Sequence, residues 1–364
     1  MFKSQSLVKE NFLFDSAVTT SPLPTPRMLH MRYPLSPKRH LFVLKTRAAI
    51  RNIINGSSSQ FLFIVGPCSI HDITAAKEYA MKLKRLAKRV SDRFLIVMRV
   101  YFEKPRTALG WKGLLYDPHL DGSNDVVAGL HLTRQLLLEL VDMGIPTSAE
   151  FLGLTAPQYF GDLISCASIG SRTITSQPHR HMASGLSMPV GLKNMTNGNV
   201  DSAINAVAVI QQPHVYVGST IDGHSALITT EGNPDAFVVL RGGHQRPNYY
   251  PSDIADTLQK LQRAQLPGRV LVDCSHDNCG KNHENQAPAF RSVIEQVSNG
   301  NRSIVGAMLE SNLEAGKQAP AKDRSQLQYG VSITDPCIDW STTEQLILEA
   351  HALMEENPLA LHHG

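Results

Sequence analysis

From Phe61 onward the chain repeats one pattern: a short apolar, β-branched run, then a longer segment of helical period. Eight such runs stand out, "FLFIVGPC", "FLIVMRVY", "IPTSAEFL", "CASIGSRT", "MPVGLKNM", "AFVVLRGG", "RVLVDCSH" and "SIVGAMLES". Each run is apolar throughout, which marks strands buried on both faces, and each is followed by enough chain for a crossover helix. Eight βα units of this kind fit a closed α/β (β/α)8 TIM barrel better than an open doubly wound sheet. No GxGxxG follows the first run, which removes the main argument for a dinucleotide site. The length of 364 residues suits one large barrel with appendages.

Between the runs, Ala76, Ala80, Leu83, Ala87 and Val90 recur at helical spacing within Ala75–Val90. Asn124 to Met143 reads as another helix, with Asn124 as N-cap and Gly144 as its C-terminal glycine. "STTE", from Ser341 to Glu344, reads as the capping box of the last helix. A ninth run, "HVYVGST", is joined through "IDGH" to "SALITT" and predicts an antiparallel hairpin over about 213–231, inserted between strands five and six. The first 40 or so residues, with "TTSPLPTPRM" and "YPLSPKRH", are rich in Pro, Ser and Thr and show no sustained period. They read as an arm that packs on a partner subunit. The division expected is 1–50 for the arm and first helix, serving regulation and oligomerisation, and 51–364 for the catalytic barrel.

The formal charge of +3 is mild and its lysines and arginines are spread along the chain, so neither nucleic acid nor a membrane surface is an expected partner. Five cysteines are too few and too odd in number for a disulfide framework, which favours a reducing compartment. With no signal-like N-terminus and no apolar run of spanning length, the expected location is cytoplasmic.

In a barrel the C-terminal strand ends share one face. Read in order, they bring together Cys68, Arg99 with Lys104 just beyond, Glu150, Arg172, Lys193, Arg241, His276 and Glu310, with Asp335 following in "SITDPC". Five converging cations, Arg99, Lys104, Arg172, Lys193 and Arg241, repel one another unless a polyanion binds among them. A mixed Arg/Lys cluster suits a ligand carrying phosphate and carboxylate. Cys68, His276, Glu310 and Asp335 are a soft, a borderline and two hard donors from separate strand ends, the makings of an open divalent-metal site that accepts manganese, iron, cobalt or zinc. Within "VLVDCSHDNC", His276 is read as the metal ligand, Cys274 and Cys279 as packing residues, and the following Lys281, His283 and Glu284 as loop residues. Taken singly, a cysteine at a strand end is usually a buried small apolar side chain, and a lone Arg, Lys or Glu a solvated one. The reading depends on all of them falling at one register of a repeat.

The segments "GPCSIHD", "MRVYFEKPRT", "GWKGL", "GSRT", "PVGLKN", "LRGG", "VDCSH", "ESN" and "YGVSITDPC" resemble 3-deoxy-D-arabino-heptulosonate 7-phosphate (DAHP) synthases of the type I, aromatic-amino-acid-regulated branch, over about Tyr33 to Trp340. The resemblance implies condensation of phosphoenolpyruvate with erythrose 4-phosphate and water, with release of phosphate, as the first step of the shikimate pathway. It implies one divalent metal ion per subunit on Cys68, His276, Glu310 and Asp335. Phosphoenolpyruvate would be held by Arg99, Lys104, Arg172, Lys193 and Arg241, with Glu150 beside them. Arg106 and Thr107 would hold the sugar phosphate, and Lys104 would donate a proton. It further implies a homodimer or homotetramer and an effector pocket that includes Pro157, Gln158, Ser187, Tyr216, Gly218 and a neighbour's arm. Gly218 stands where phenylalanine-responsive members tend to have serine, which favours tyrosine as the effector, with tryptophan as runner-up. Departures are Met195 for a glycine, Asn197 for an aspartate, Ser171 for an alanine and His244 for a lysine. A glycine with positive φ at position 195 would make methionine strained there. The competing readings are a synthase using a five-carbon sugar phosphate and a barrel that binds metal or ligand without turnover.

Overall fold

The computed structural model describes residues 20–321 and 323–356. Ten strands follow in order: β1 (Phe61–Gly66), β2 (Phe94–Arg99), β3 (Thr147–Glu150), β4 (Cys166–Ile169), β5 (Val190–Lys193), β6 (His214–Ser219), β7 (Ser225–Thr230), β8 (Ala236–Leu240), β9 (Val270–Asp273) and β10 (Ile304–Glu310). Eight of them close a barrel in the order β1-β10-β9-β8-β5-β4-β3-β2, and β6 and β7 form the separate hairpin. Every barrel neighbour pairs in parallel, while β6 and β7 are antiparallel with Gly218 opposite Ala226. All eight sequence runs are barrel strands, and the ninth lies where the insertion was expected.

The continuous apolar runs are explained by two clusters that split along the period of two. Leu62, Ile64, Val97, Cys166, Phe237, Val239, Leu271 and Met308 fill the barrel interior. The alternate residues, among them Phe61, Phe63, Val238, Val270, Val272 and Cys274, face the surrounding helices. Ile50, Ile53 and Ile54 belong to the interior cluster, so the helix Pro37–Ile54 closes the barrel floor beneath the strands' N-terminal ends.

Three local readings are corrected. The segment read as aperiodic contains two helices, Pro26–Arg32 and Pro37–Ile54, capped by Thr25 and Ser36 with proline next in line. That cap-and-proline pair was a legible start signal. The helix Val126–Asp142 is capped by Asp125, which accepts from the Ala128 amide at 2.9 Å, while Asn124 sits before it at φ 53°. The last helix, Trp340–Glu356, opens on Asp339, which accepts from the Thr342 amide at 2.7 Å and supplants Ser341 as cap. In both, a carboxylate gains from the helix dipole as well as from the hydrogen bond. Asp72 caps Ile73–Arg89 in the same way, and Gly144, at φ 77°, ends its helix as read.

The described part of the arm lies on its own chain. Arg27 pairs with Asp222 at the hairpin turn, its amide donates to Ile221 O at 3.0 Å, and Tyr159 Oη donates to Pro24 O at 2.8 Å. Residues 1–19, the rest of that arm, lie outside the described residues. Among the described residues no helix is long and apolar enough to cross a membrane.

Candidate active site

The strands' C-terminal ends enclose a cavity of about 260 Å³ lined by Arg99, Lys104, Glu150, Arg172, Lys193, Arg241, His276, Glu310 and Asp335, with Arg106 and Thr107 at its rim. Each barrel strand delivers its side chain by the same alternation that builds the core. Val97 points inward and so does Arg99; Val239 points inward and so does Arg241.

The cations are less exposed to one another than their sequence positions imply. Arg99 Nη2 lies 2.9 Å from Glu310 Oε1, Lys104 Nζ 2.8 Å from Asp335 Oδ2, and Lys193 Nζ 3.0 Å from Asp273 Oδ2. Arg241 pairs with Asp277. The expectation that only a bound polyanion relieves the repulsion is therefore corrected: four of the five cations have carboxylate partners in the wall. Arg172 is exposed and donates to Thr107 Oγ1 at 2.6 Å. Two buried atoms in this wall have no hydrogen-bond partner, Arg241 Nε and Glu150 Oε1. Beneath them, the Tyr101 ring lies 4.0 Å from the Arg99 guanidinium and 5.7 Å from Lys193 Nζ, a cation–π floor.

These pairs set the charges. Burial, the largest influence, works against the Lys193 ammonium, and Asp273 with Tyr101 and Glu150 together outweigh it and hold its pKa above the ordinary value. Burial likewise opposes ionisation of Asp273, yet Lys193 and then His276 hold that carboxyl well below the usual range. Lys104 is kept protonated against burial by Asp335 and Glu310. Burial pushes the Cys68 thiol up to about 12, with Glu310 adding to the rise and Lys104 opposing it.

Cys68, Glu310 and Asp335 offer ligand atoms that all lie within 4.8 Å of one another. His276 stands beside this group: its Nε2 is 3.6 Å from Glu310 Oε1, while Nδ1 meets Ser275 Oγ at 2.7 Å and Asp273 Oδ2 at 3.0 Å. An imidazole anchored through one nitrogen, with the other turned toward a carboxylate, is the usual form of a metal-ligating histidine. The donors therefore fit a divalent ion. His276 reaches the mouth by a route other than the expected strand face. Strand β9 ends at Asp273, and His276 turns inward at φ 55°.

The sequence reading missed Tyr101, Asp273 and Asp277. The alternation from Leu271 lands on Asp273, and that signal was available. Cys274 packs among the outer apolar residues as read. Cys279 and Lys281, set aside as a packing and a loop residue, both line the cavity. The turn after β9 folds back over the mouth. Met195 is not among the residues with positive φ, so the expected strain is absent; Gly198, at φ 91°, carries that loop's turn instead.

Of the residues read as an effector site, Tyr216 and Gly218 lie in the hairpin, Gln158 reaches it, and Ser187 meets Arg47 instead. Gln158 Nε2 donates to Ser219 O, and the Tyr216 ring stacks on His181 at 5.5 Å. Ser187 Oγ accepts from Arg47 Nη1 at 2.8 Å, and the same guanidinium donates to Gly161 O at the end of the short helix that carries Pro157 and Gln158. A Cβ at Gly218 would stand 2.7 Å from Ile228 Cγ1.

Fold and mouth together define a (β/α)8-barrel enzyme built for anionic ligands beside a candidate metal site. Residues 33–348 match the model of the DAHP synthetase I family. The chain is 50% identical over 329 residues to the Tyr-sensitive phospho-2-dehydro-3-deoxyheptonate aldolase of Escherichia coli K12, covering 90% of this chain and 92% of that protein. It is 45% identical to the Trp-sensitive enzyme of the same organism, covering 89% and 93%. It is 43% identical to the tyrosine-inhibited enzyme of Schizosaccharomyces pombe, covering 90% and 89%. A solved phospho-2-dehydro-3-deoxyheptonate aldolase from Francisella tularensis SCHU S4 superposes with a TM-score of 0.89 at 42% identity, covering 92% of this chain and 98% of that one. The chain belongs to the DAHP synthetase I family.

Proposed function

We propose that this chain condenses phosphoenolpyruvate with D-erythrose 4-phosphate and water to give DAHP and inorganic phosphate, under feedback inhibition by tyrosine. The observation that carries the reading is the convergence of carboxylate-backed cations in one cavity with His276 and with Glu310 and Asp335, whose ligand atoms group with that of the buried Cys68. In this reading Arg99, Lys193, Arg241 and Arg172 grip the phosphate and carboxylate of phosphoenolpyruvate. Arg241 Nε, buried and unpartnered, is a donor ready for a phosphate oxygen. Arg106 and Thr107 hold the sugar phosphate at the rim.

A divalent ion on Cys68, His276, Glu310 and Asp335, one per subunit and drawn from manganese, iron, cobalt or zinc, would supply Lewis-acid polarisation of the aldehyde. The enol carbon bonds to the aldehyde carbon, and the aldehyde oxygen gains a negative charge. Lys104, held protonated against burial by its anionic neighbours, is the group we assign to give that oxygen a proton. Water adds at the second carbon of the former enol, and phosphate departs by C–O cleavage. Glu150, with a buried unpartnered oxygen in the same cavity, is the acceptor available on that side.

Support for tyrosine comes from Gly218 and from the Tyr-sensitive and tyrosine-inhibited relatives. We read the working enzyme as a cytoplasmic homodimer or homotetramer. The test is phosphate release with each substrate alone, with both, and with arabinose 5-phosphate replacing erythrose 4-phosphate, before and after chelation. Release is expected only with phosphoenolpyruvate and erythrose 4-phosphate together, with loss on chelation and recovery on adding manganese. Release with arabinose 5-phosphate, or none with either sugar, would overturn the proposal in favour of one of its rivals.

A further inference from the structure

The loops after β5, β8 and β9, which follow directly on Lys193 or carry Arg241 and His276, are joined by three buried carboxamides. Asn194, Asn248 and Asn278 are 0%, 8% and 3% exposed. Asn194 Oδ1 accepts from the Arg241 amide at 2.8 Å and from Asn248 Nδ2 at 3.2 Å, while its Nδ2 donates to Gly242 O at 2.9 Å. Asn248 Oδ1 accepts from the Gly242 amide at 2.7 Å, and its own amide donates to Asn278 Oδ1 at 2.8 Å. Asn278 Nδ2 donates to Leu240 O at 3.1 Å and to Asp273 O at 2.8 Å. Only a carboxamide carries donors and an acceptor on one planar, uncharged group, so each asparagine can tie two backbones at once.

The glycines beside them show how close the loops run. A Cβ at Gly242 would stand 2.5 Å from the Asn278 amide nitrogen, and one at Gly243 2.5 Å from Gly198 Cα. The loops therefore lie backbone against backbone. Asn194 directly follows Lys193, and Asn278 directly follows Asp277, the partner of Arg241. Among the described residues, none of these bonds reaches the loop after β2 that carries Arg106 and Thr107.

We infer that Asn194, Asn248 and Asn278 are positioning residues that fix the spacing of Lys193 and Arg241, and so set affinity for phosphoenolpyruvate without touching it. The inference rests on reading those cations as the phosphoenolpyruvate grip. Removing the Asn194 or Asn278 carboxamide takes partners from several backbone groups, and removing that of Asn248 takes them from the Gly242 amide and the Asn194 side chain; each loss lets two loops separate.

The experiment compares Asn194→Ala, Asn248→Ala, their double variant and Arg241→Ala in steady-state kinetics, each substrate varied in turn. Each asparagine variant is expected to raise KM for phosphoenolpyruvate roughly tenfold, the size of one lost buried hydrogen bond, with KM for the sugar phosphate within about twofold. The double variant should cost little more than the worse single, because both break one connection. Equal rises in both KM values, or fully additive effects, would show a merely structural role and overturn the inference. Should the alanine variants fail to fold, Asn248→Asp keeps the acceptor for Gly242 and loses the donor to Asn194. It should show the same split at smaller size, and an unchanged KM for phosphoenolpyruvate would overturn the inference. If Arg241→Ala leaves that KM unchanged, the grip reading falls and the inference with it. A rise in Arg241→Ala with none in the asparagine variants sinks the relay alone.

Discussion

At the barrel mouth, Arg99, Lys193 and Arg241 are buried and each has a carboxylate partner within the wall. At the hairpin corner the contacts are part-buried or exposed. The Arg27–Asp222 pair is about half exposed on both sides, and Val215, Val217 and Leu227 present one apolar face to solvent at 59%, 83% and 72% exposure. A buried charge cannot lose its partner without a large cost, so the mouth keeps one geometry. Exposed pairs exchange with water at little cost, so the corner can rearrange. Chemistry is held where change is expensive, and adjustment is left where it is cheap.

The contrast can be broken most directly at Cys68. Cys68→Ala removes the only thiol from the donor group, and metal-stimulated phosphate release should fall by more than about 100-fold. Near-normal turnover at sub-stoichiometric metal would take the thiol out of the site. Next in size is Asp273→Asn, which leaves Lys193 buried without its counter-charge. Chemical unfolding should report a loss of roughly 3–5 kcal/mol, and a loss below about 1 kcal/mol would mean that the mouth is as forgiving as the corner.

At the corner, tyrosine should inhibit with a coupling of about 1–3 kcal/mol, read as a several-fold or greater drop in activity at saturation. Deleting residues 1–30 should abolish that response and leave turnover intact. Gly218→Ser should shift the response toward phenylalanine, although its Cβ must displace Ile228 within the hairpin. Indifference to all three aromatic amino acids would remove the corner's role. The smallest effect is expected from Arg27→Ala: an unchanged melting temperature and turnover, with a weaker tyrosine response seen only in the inhibition curve. A large drop in melting temperature would show that the corner too is held by costly contacts.

Much of the mouth was legible because one rule repeats eight times. A parallel barrel strand must be apolar on both faces until it reaches the rim, so the first charge after each run marks the cavity. The rule failed where the backbone stops obeying it. It passed over Asp273 because "VLVD" ends in a charge one turn before the more conspicuous histidine, and His276 comes inward through a left-handed turn that no periodicity foretells. From the same turn Lys281 joins the cavity lining and Asp277 pairs with Arg241. The need for a ligand was overstated because Glu310 and Asp273, at the ends of β10 and β9, and Asp335 and Asp277, in the loops beyond, pair with the cations within the wall. In the arm, proline content was read as disorder of pattern, when proline straight after Thr25 or Ser36 is how these helices begin.

The helix that seals the floor with Ile50, Ile53 and Ile54 makes the barrel a vessel with one opening. Everything that enters must leave the way it came. Arg99 and Lys193 lie at the bottom, whereas Arg106 and Thr107 stand exposed at the lip. A molecule seated at the lip blocks the path of one bound below. Traffic through such a vessel has an order imposed by depth alone: the deeper guest arrives first, the rim is filled second, and nothing released at the bottom departs until the lip is clear.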